Sequence, residues 1–405
     1  MTGHRIDQTM PDTTPQPPLP PPSDDCILCG RCVAVCPLFA ATGREELSPR
    51  AKFLLLSRLA RDKTSRDRTA AADLAGLCLS CGRCREACPL GLSAPDALGA
   101  MRAAHPGWPE FVWGQWITRA GILWPMARAL HGLAPRSGPL AAIAAPLKGL
   151  APPRDAPGWL VPGRFDTCLA GRRVAVFPGC VAAHARTDWL RAARRLLFGA
   201  KALPADTPGF ACCGEPLGHA GLASAQDAAR RTNLRVWRKA GRPALAVFCA
   251  SCRHGLEAYP ETLFAPGEAD MWRQAVTPLS GLLGDTRFTV AACAPRTILY
   301  HRPCRAPADD PDAALLSRAL GRPFPHGPSP CCGFGGILQI TAPDLTAKTA
   351  AACWQAHDPP PGAHVLTSCA GCATQLAAAA PPAVTGGHWL AAVRFPDDRD
   401  GDPGD

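Results

Sequence analysis

Apolar residues along this chain fall into two rhythms. In the C-terminal half, short unbroken runs alternate with longer stretches at helical spacing. Arg173-Val-Ala-Val-Phe177, Ala244-Leu-Ala-Val-Phe248, Thr297-Ile-Leu-Tyr300 and His364-Val-Leu-Thr367 read as buried strands. Between them, residues 183–198 predict a helix with Trp189, Leu190, Ala193, Leu196 and Leu197 on or near one face. Further helices are expected near 222–240, 311–320 and 342–356. Strand alternating with helix predicts parallel α/β layers, in which ligands gather beyond the carboxyl ends of strands.

The N-terminal part follows the other rhythm. Ser48-Pro49 is an N-cap followed by proline at the first helical position, and Phe53, Leu54, Leu55, Leu56 and Leu59 supply an apolar face. A second short helix is expected over 70–77. Residues 105–170 differ again: Trp108, Trp113, Trp116 and Trp124 sit among Ile117, Ile122, Leu123 and Leu130, with Arg119 and Arg128 between. This stretch suits either an interfacial helix that docks on a membrane or a bridging helix packed on the protein's own domains, and the bridge is the expectation. Prolines and glycines over 134–165 mark a linker. No apolar run reaches the roughly 18 residues of a spanning helix; 120–134 is broken by Pro125 and Arg128, and 139–151 by Pro146 and Lys148. Residues 1–24 lack an apolar signal core and read as a Pro-rich arm, and 395–405 as an acidic tail.

Cysteine spacing supplies the chemistry. Residues 26–36 and 78–88 both follow C-x2-C-x2-C-x3-C, each with proline next (Pro37, Pro89). In this bacterial ferredoxin run three cysteines bind one [4Fe–4S] cluster and the fourth crosses to the other. The expected sets are Cys26, Cys29, Cys32 and Cys88 for one cubane, and Cys78, Cys81, Cys84 and Cys36 for its neighbour. Zinc ribbons lack the third and fourth cysteines at this spacing. The long segment between Cys36 and Cys78 makes this a helical two-cluster domain rather than a minimal ferredoxin.

A second pattern occurs twice. Cys180, Cys212, Cys213, Cys249 and Cys252 recur in order as Cys304, Cys331, Cys332, Cys369 and Cys372, each copy built around Cys-Cys-Gly. Cys180 and Cys304 follow strand runs, and so do both Cys-x-x-Cys pairs. Five thiolates are one more than a tetrahedral zinc site or a regular cubane needs. Two arrangements remain: an iron–sulfur cluster of non-standard shape on all five, or a cubane on four with the fifth thiol free. Cys168, Cys293 and Cys353 lie outside every motif and are expected to be buried structural thiols. His184, His219, His254 and His301 neighbour the ligand candidates in sequence, with core or surface placement as the default for each.

Composition narrows the setting. Most of the 21 cysteines sit in metal-ligand spacings within a 405-residue chain, which argues for a reducing, cytosolic-type compartment over a disulfide scaffold. The net charge of +10 is spread along the chain, without the basic stripe and interleaved aromatics of a nucleic-acid surface. No phosphate loop or flavin motif stands beside a strand, so a substrate site would belong to another subunit.

Both five-cysteine units resemble the CCG cysteine-rich domain. That domain is found in heterodisulfide reductase, the glycolate oxidase iron–sulfur subunit and the iron–sulfur subunit of anaerobic glycerol-3-phosphate dehydrogenase. The layout of two ferredoxin motifs followed by two CCG units is similar to glycolate oxidase and to heterodisulfide reductase of the D type, as is Leu47-Ser48-Pro49-Arg50 to the former. The resemblance implies a fold of class α plus α/β: an arm (1–24), a helical ferredoxin domain (25–104), a Trp-rich bridge and linker (105–170), two pseudo-symmetric α/β CCG units (171–285 and 290–394) and a tail (395–405). It implies two cubanes, one or two further clusters on the five-cysteine sets, and no flavin in this chain. It also implies an electron conduit from a partner flavoprotein oxidising a 2-hydroxyacid such as glycolate or lactate towards quinone, with a membrane quinone-reactive partner and a cytoplasmic or inner-face location. The alternative is a disulfide reductase subunit in which Cys213 or Cys332 belongs to a catalytic cluster. One departure is Arg302-Pro303-Cys304-Arg305, which stands where the family often has Asp-Pro-Cys-His.

Overall fold

The computed structural model describes residues 26–61, 73–130, 149–150, 158–205, 207, 209–325, 327 and 329–396. The Pro-rich arm, most of the expected linker and nearly all of the acidic tail lie outside the described residues. The chain is a mixture of helices and sheets. Nine strands are described: β1 Leu160–Pro162, β2 Arg173–Phe177, β3 Leu203–Pro204, β4 Ala244–Val247, β5 Val276–Pro278, β6 Phe288–Val290, β7 Ile298–Tyr300, β8 His364–Thr367 and β9 Thr385–His388.

The strand runs legible in the sequence form the centres of two parallel sheets, ordered β3-β2-β4-β5 and β7-β8-β9. Their apolar content explains the placement: β4 and β8 are each flanked on both sides and have three buried residues in succession. The second sheet repeats the order of β2-β4-β5 and has no counterpart of β3 among the described residues. Strands β1, β3, β5 and β6 are short and interrupted by proline or threonine, and β9 reads Thr-Gly-Gly-His, so none registers as an apolar run. Yet β1 pairs antiparallel with β6, and the Trp159 and Arg394 amides reach the Ala392 and Leu160 carbonyls. The start of the first unit is thereby stitched to the end of the second.

The helix expected over 183–198 is in fact two. Gly179–His184 ends where the Ala185 and Arg186 amides both turn to the Val181 carbonyl, and Thr187–Gly199 starts afresh. The apolar spacing runs through both and so conceals the break. Arg186 folds back on Asp188 at 2.7 Å and over the Trp189 ring. The helices Ala223–Lys239, Pro311–Leu320 and Pro343–His357 fall within a residue or so of their expected bounds.

One apolar core runs through both sheets and the bridge. His388, fully buried at the end of β9, stacks on Trp189 and donates from Nε2 to the Phe248 carbonyl (2.9 Å), so the second unit plugs into the first. The bridge is two helices, Trp108–Thr118 and Ala120–Leu130. Trp113, Ile117, Ala120 and Trp124 face the core, and the Trp113 indole donates to the Pro216 carbonyl at 3.0 Å. In the N-terminal domain the Ser48 hydroxyl accepts from the Ala51 amide at the start of Pro49–Arg61. Helix Ala94–Ala104 packs on Glu215–His219 so closely that a Cβ at Gly99 would lie 2.7 Å from the Gly218 carbonyl oxygen.

Candidate iron–sulfur sites

The two ferredoxin runs fold alike. Each loop carries two left-handed residues two apart, Leu28 and Gly30 in the first and Ser80 and Gly82 in the second, and then enters a short helix. This wraps three thiols around one point. Cys26, Cys29, Cys32 and Cys88 border one small cavity, and Cys84 lines it as well. Cys36, Cys78, Cys81 and Cys84 border a second. Burial pushes the Cys81 thiol up to about 11 and the Cys84 thiol to about 12, with Cys78 adding to both. Thiols held so high keep their protons near neutral pH until a metal displaces them, and converging thiols of this kind fit an iron–sulfur group.

Two buried cations stand beside the second cavity, and the cysteine motifs point to neither. Lys52, 1% exposed, donates from Nζ to the Leu47 carbonyl and interacts with Cys78, Cys36 and Cys84. Arg102 joins the Gly76 carbonyl to that of His219 and so links the dicluster domain to the first CCG unit. The signal for Lys52 is its helical spacing with the apolar Leu56, a place where a lysine needs a reason.

The five-cysteine sets lie at the carboxyl ends of the parallel strands. Cys249 and Cys369 are the N-caps of Ala250–Glu257 and Ala370–Ala378, directly after β4 and β8. Here the tertiary structure adds what the order of residues does not. The Cys249 and Cys369 thiols are neighbours: the Ala370 amide donates to Cys249 Sγ at 3.3 Å, and Ser251 Oγ lies 3.2 Å from Cys369 Sγ. Thiols that act on one another's ionisation continue outward through Cys252, Cys213 and Cys212 to Cys180 on one side. On the other they run through Cys372 and Cys332, 3.1 Å apart, to Cys331. Nine of the ten thiols thus form one run. Cys304 stands beside it, its thiol pushed well up by burial and then by Cys81 and Cys332.

The glycine of the second Cys-Cys-Gly is required by geometry. Gly333 has φ of 79° and its Cβ would meet the Thr346 carbonyl oxygen at 2.6 Å.

Arg305, the departure noted in the sequence, is a bracket between three parts of the molecule. Its guanidinium donates to the Ser80 carbonyl (3.0 Å) in the second ferredoxin loop, pairs with Glu215 (3.2 Å) beside Cys213, and meets His254 Nε2 (3.3 Å). A side chain at Gly82 would collide with it. Burial would raise the Glu215 carboxyl, but His254, Arg305 and His219 together hold it below the usual range. His219 is kept neutral by burial, its pKa about 4. His301 is buried against Cys332, with its Nδ1 3.1 Å from His357 Nε2, and His184 lies by the bridge at Gly121. Of the cysteines outside the motifs, only Cys353 is buried. Cys168 and Cys293 are exposed, contrary to expectation, because both sit in loops beside the β1–β6 ribbon rather than under a sheet.

Sequence comparisons identify the domains that carry these cysteines. Residues 22–92 match the 4Fe-4S dicluster domain, and residues 174–257 and 298–377 each match the cysteine-rich CCG domain. The chain therefore carries a 4Fe-4S dicluster domain followed by two CCG domains. It is 24% identical over 387 residues to the glycolate oxidase iron-sulfur subunit of Escherichia coli K12, covering 91% of this chain and 92% of that one. It is also 24% identical over 391 residues to a probable glycolate oxidase iron-sulfur subunit of Bacillus subtilis (87% and 88% covered). A third relative, 24% identical over 363 residues, is a subunit of the dihydromethanophenazine:CoB–CoM heterodisulfide reductase of Methanosarcina acetivorans, with 81% of each chain covered.

Proposed function

We propose that this protein is the electron-transfer subunit of a flavin-dependent 2-hydroxyacid dehydrogenase of the glycolate or lactate type, delivering electrons towards quinone. The observation that carries the reading is the contact sequence of the thiols. Cys26, Cys29, Cys32 and Cys88 hold an outer cubane, near the exposed Cys29. Cys36, Cys78, Cys81 and Cys84 hold an inner one, and Cys81 neighbours Cys304 and Cys331 of the second CCG set. That set meets the first through Cys369 and Cys249. The five cysteines of each set hold a further cluster, in units related by a pseudo-two-fold. The supported path is therefore outer cubane, inner cubane, second CCG set, first CCG set. Among the described residues no helix is long and apolar enough to cross a membrane, so contact with the bilayer would be peripheral.

Protein purified without oxygen should contain iron and acid-labile sulfide in about equal amounts. A co-purifying flavoprotein should reduce the clusters when given glycolate or lactate. Zinc without sulfide would end the reading. Disulfide reduction lost on Cys213→Ala or Cys332→Ala, with both cubane signals intact, would instead favour the reductase alternative, which the merging of the two sets around one space also suits.

Lys52→Met supplies a test of the inner cubane. A reduced cluster is more negative than an oxidised one, and a buried cation beside it favours reduction. Redox titration followed by electron paramagnetic resonance should show that cubane's midpoint potential moving down, with the outer one nearly unchanged. Equal shifts in both would contradict the assignment.

A further inference from the structure

We infer that His301, Cys353 and His357 form a mononuclear site for one divalent cation of the zinc type, apart from the iron–sulfur groups. The three come from two elements. His301 stands one residue beyond β7, where its amide donates to the Leu366 carbonyl at 2.8 Å. Cys353 and His357 lie four apart on the helix Pro343–His357 and so share a face. Cys353 and His301 are buried and His357 is half-buried. One ligand atom from each lies within 4.8 Å of the other two. Distances favour ligation over ordinary packing. His301 Nδ1 is 3.1 Å from His357 Nε2 and 3.8 Å from Cys353 Sγ. Zinc bonds of ~2.0–2.1 Å to nitrogen and ~2.3 Å to sulfur, at tetrahedral angles, set two nitrogens about 3.3 Å apart and nitrogen about 3.6 Å from sulfur. Closing on an ion therefore needs shifts of only about 0.2 Å in either spacing. A hydrogen-bonded imidazole pair would account for the nitrogens but not for the thiol, whose other described polar contact is 3.9 Å, to the Pro330 carbonyl. Nor do the rings stack: their planes stand 61° apart. Two imidazoles and a thiolate are a borderline donor set that suits zinc, with the fourth position left to water.

The site is separate from the five-cysteine machinery. The large cavity that both sets border, faced by Trp113, Trp116 and Trp124, has none of the three residues on its wall. The first unit carries all five thiols without such a site: Pro178 follows β2 where His301 follows β7, and the helix Ala223–Lys239 has no cysteine or histidine. His301 also neighbours Cys332, so an ion on its Nδ1 would stand one imidazole ring away from the second set. The Cys353 thiol gives up its proton to water on binding. The bound ion would tie the end of β7 to the last turn of Pro343–His357.

The test uses the full-length, cluster-loaded protein, kept under argon, treated with zinc chloride and desalted. One zinc per chain should be retained beside unchanged iron and sulfide. X-ray absorption at the zinc edge should show one sulfur at ~2.3 Å, with nitrogen or oxygen at ~2.0–2.1 Å. Cys353→Ser and His357→Gln should each weaken zinc binding at least ~100-fold, since loss of an outer-shell partner alone costs about 10–100-fold. Both should keep their iron and sulfide. His301 is left intact because it neighbours Cys332. Zinc should also raise the denaturation midpoint of the wild type and not that of His357→Gln, a change at a half-buried helix end where folding is not at stake. No retained zinc, undiminished retention in the two variants, or a zinc shell of several sulfurs with iron lost overturns the inference. Iron, sulfide and reduction by the partner are read separately, so failure of this site leaves the conduit reading standing.

Discussion

Cys369→Ser is expected to remove the second CCG cluster and to stop electron flow through the protein, while both ferredoxin-type cubanes persist. Cys369 is 4% exposed, stands one residue beyond β8 and occupies the N-cap position of the helix Ala370–Ala378. Its thiol touches Cys249 of the first set and Cys372 of its own. Serine nearly preserves the volume and can still cap the helix, so the fold should survive. Its hydroxyl is a poor ligand for iron. Loss of an outer-shell partner alone costs about 10–100-fold in metal affinity or activity, so loss of a ligand at the junction of both sets should lower partner-driven electron transfer by at least ~100-fold. Iron content should fall by one cluster's worth, and the spectrum of the first set should change because Cys249 loses its neighbour. Cys353→Ser is the control: a buried thiol outside both sets, whose replacement should leave iron content unchanged. Retention of all iron in Cys369→Ser would refute the assignment of that set.

Arg305→Gln should loosen the joint between the dicluster domain and the CCG units. Arg305 and Glu215 have side chains only 13% and 10% exposed. Breaking a buried pair by removing one partner typically costs ~3–5 kcal/mol, because the other charge stays behind. Here His254, 2.8 Å from Glu215, can take up part of that charge, which places the expected loss near ~3 kcal/mol in chemical denaturation. Adding Glu215→Gln should recover part of it, since the stranded carboxylate is then gone, and a double-mutant cycle measures the coupling. The pH dependence has a definite sign. A carboxyl held low in the fold stabilises above its unfolded value of ~4.3 and loses that contribution as pH falls through the folded value. Without Arg305 burial acts on the carboxyl with less opposition, so the gap between wild type and variant should be widest near neutral pH and close as pH falls through the ordinary carboxyl value of ~4.3. A constant gap and additive single effects would show that the bracket is inert.

Much of this protein is written in local patterns. The strand runs at 173–177, 244–247, 298–300 and 364–367 are legible because a strand buried on both faces must be continuously apolar. The ferredoxin loops are legible because three thiolates reach one cluster only from a short turn, and that fixes both spacing and residue type. The double occurrence of Cys-Cys-Gly is legible for the same kind of reason.

Other features arise only when segments far apart in the chain meet. The contact of Cys249 with Cys369 needs two parallel sheets brought end to end, and nothing within either motif specifies that. Arg305 looked like a departure from the family pattern, but its partners Ser80, Glu215 and His254 come from three separate segments. The spacing of Lys52 with Leu56 flags it on the apolar side of its helix, but its bond to the Leu47 carbonyl and its place beside the inner cysteines come only from the fold. The exposure of Cys168 and Cys293 depends on the β1–β6 ribbon, whose three-residue strands leave no periodicity to read. Thiolate spacing determined by itself that the protein carries clusters. Only the packing of the units decided that their two cysteine sets share one wall of one aromatic-lined space.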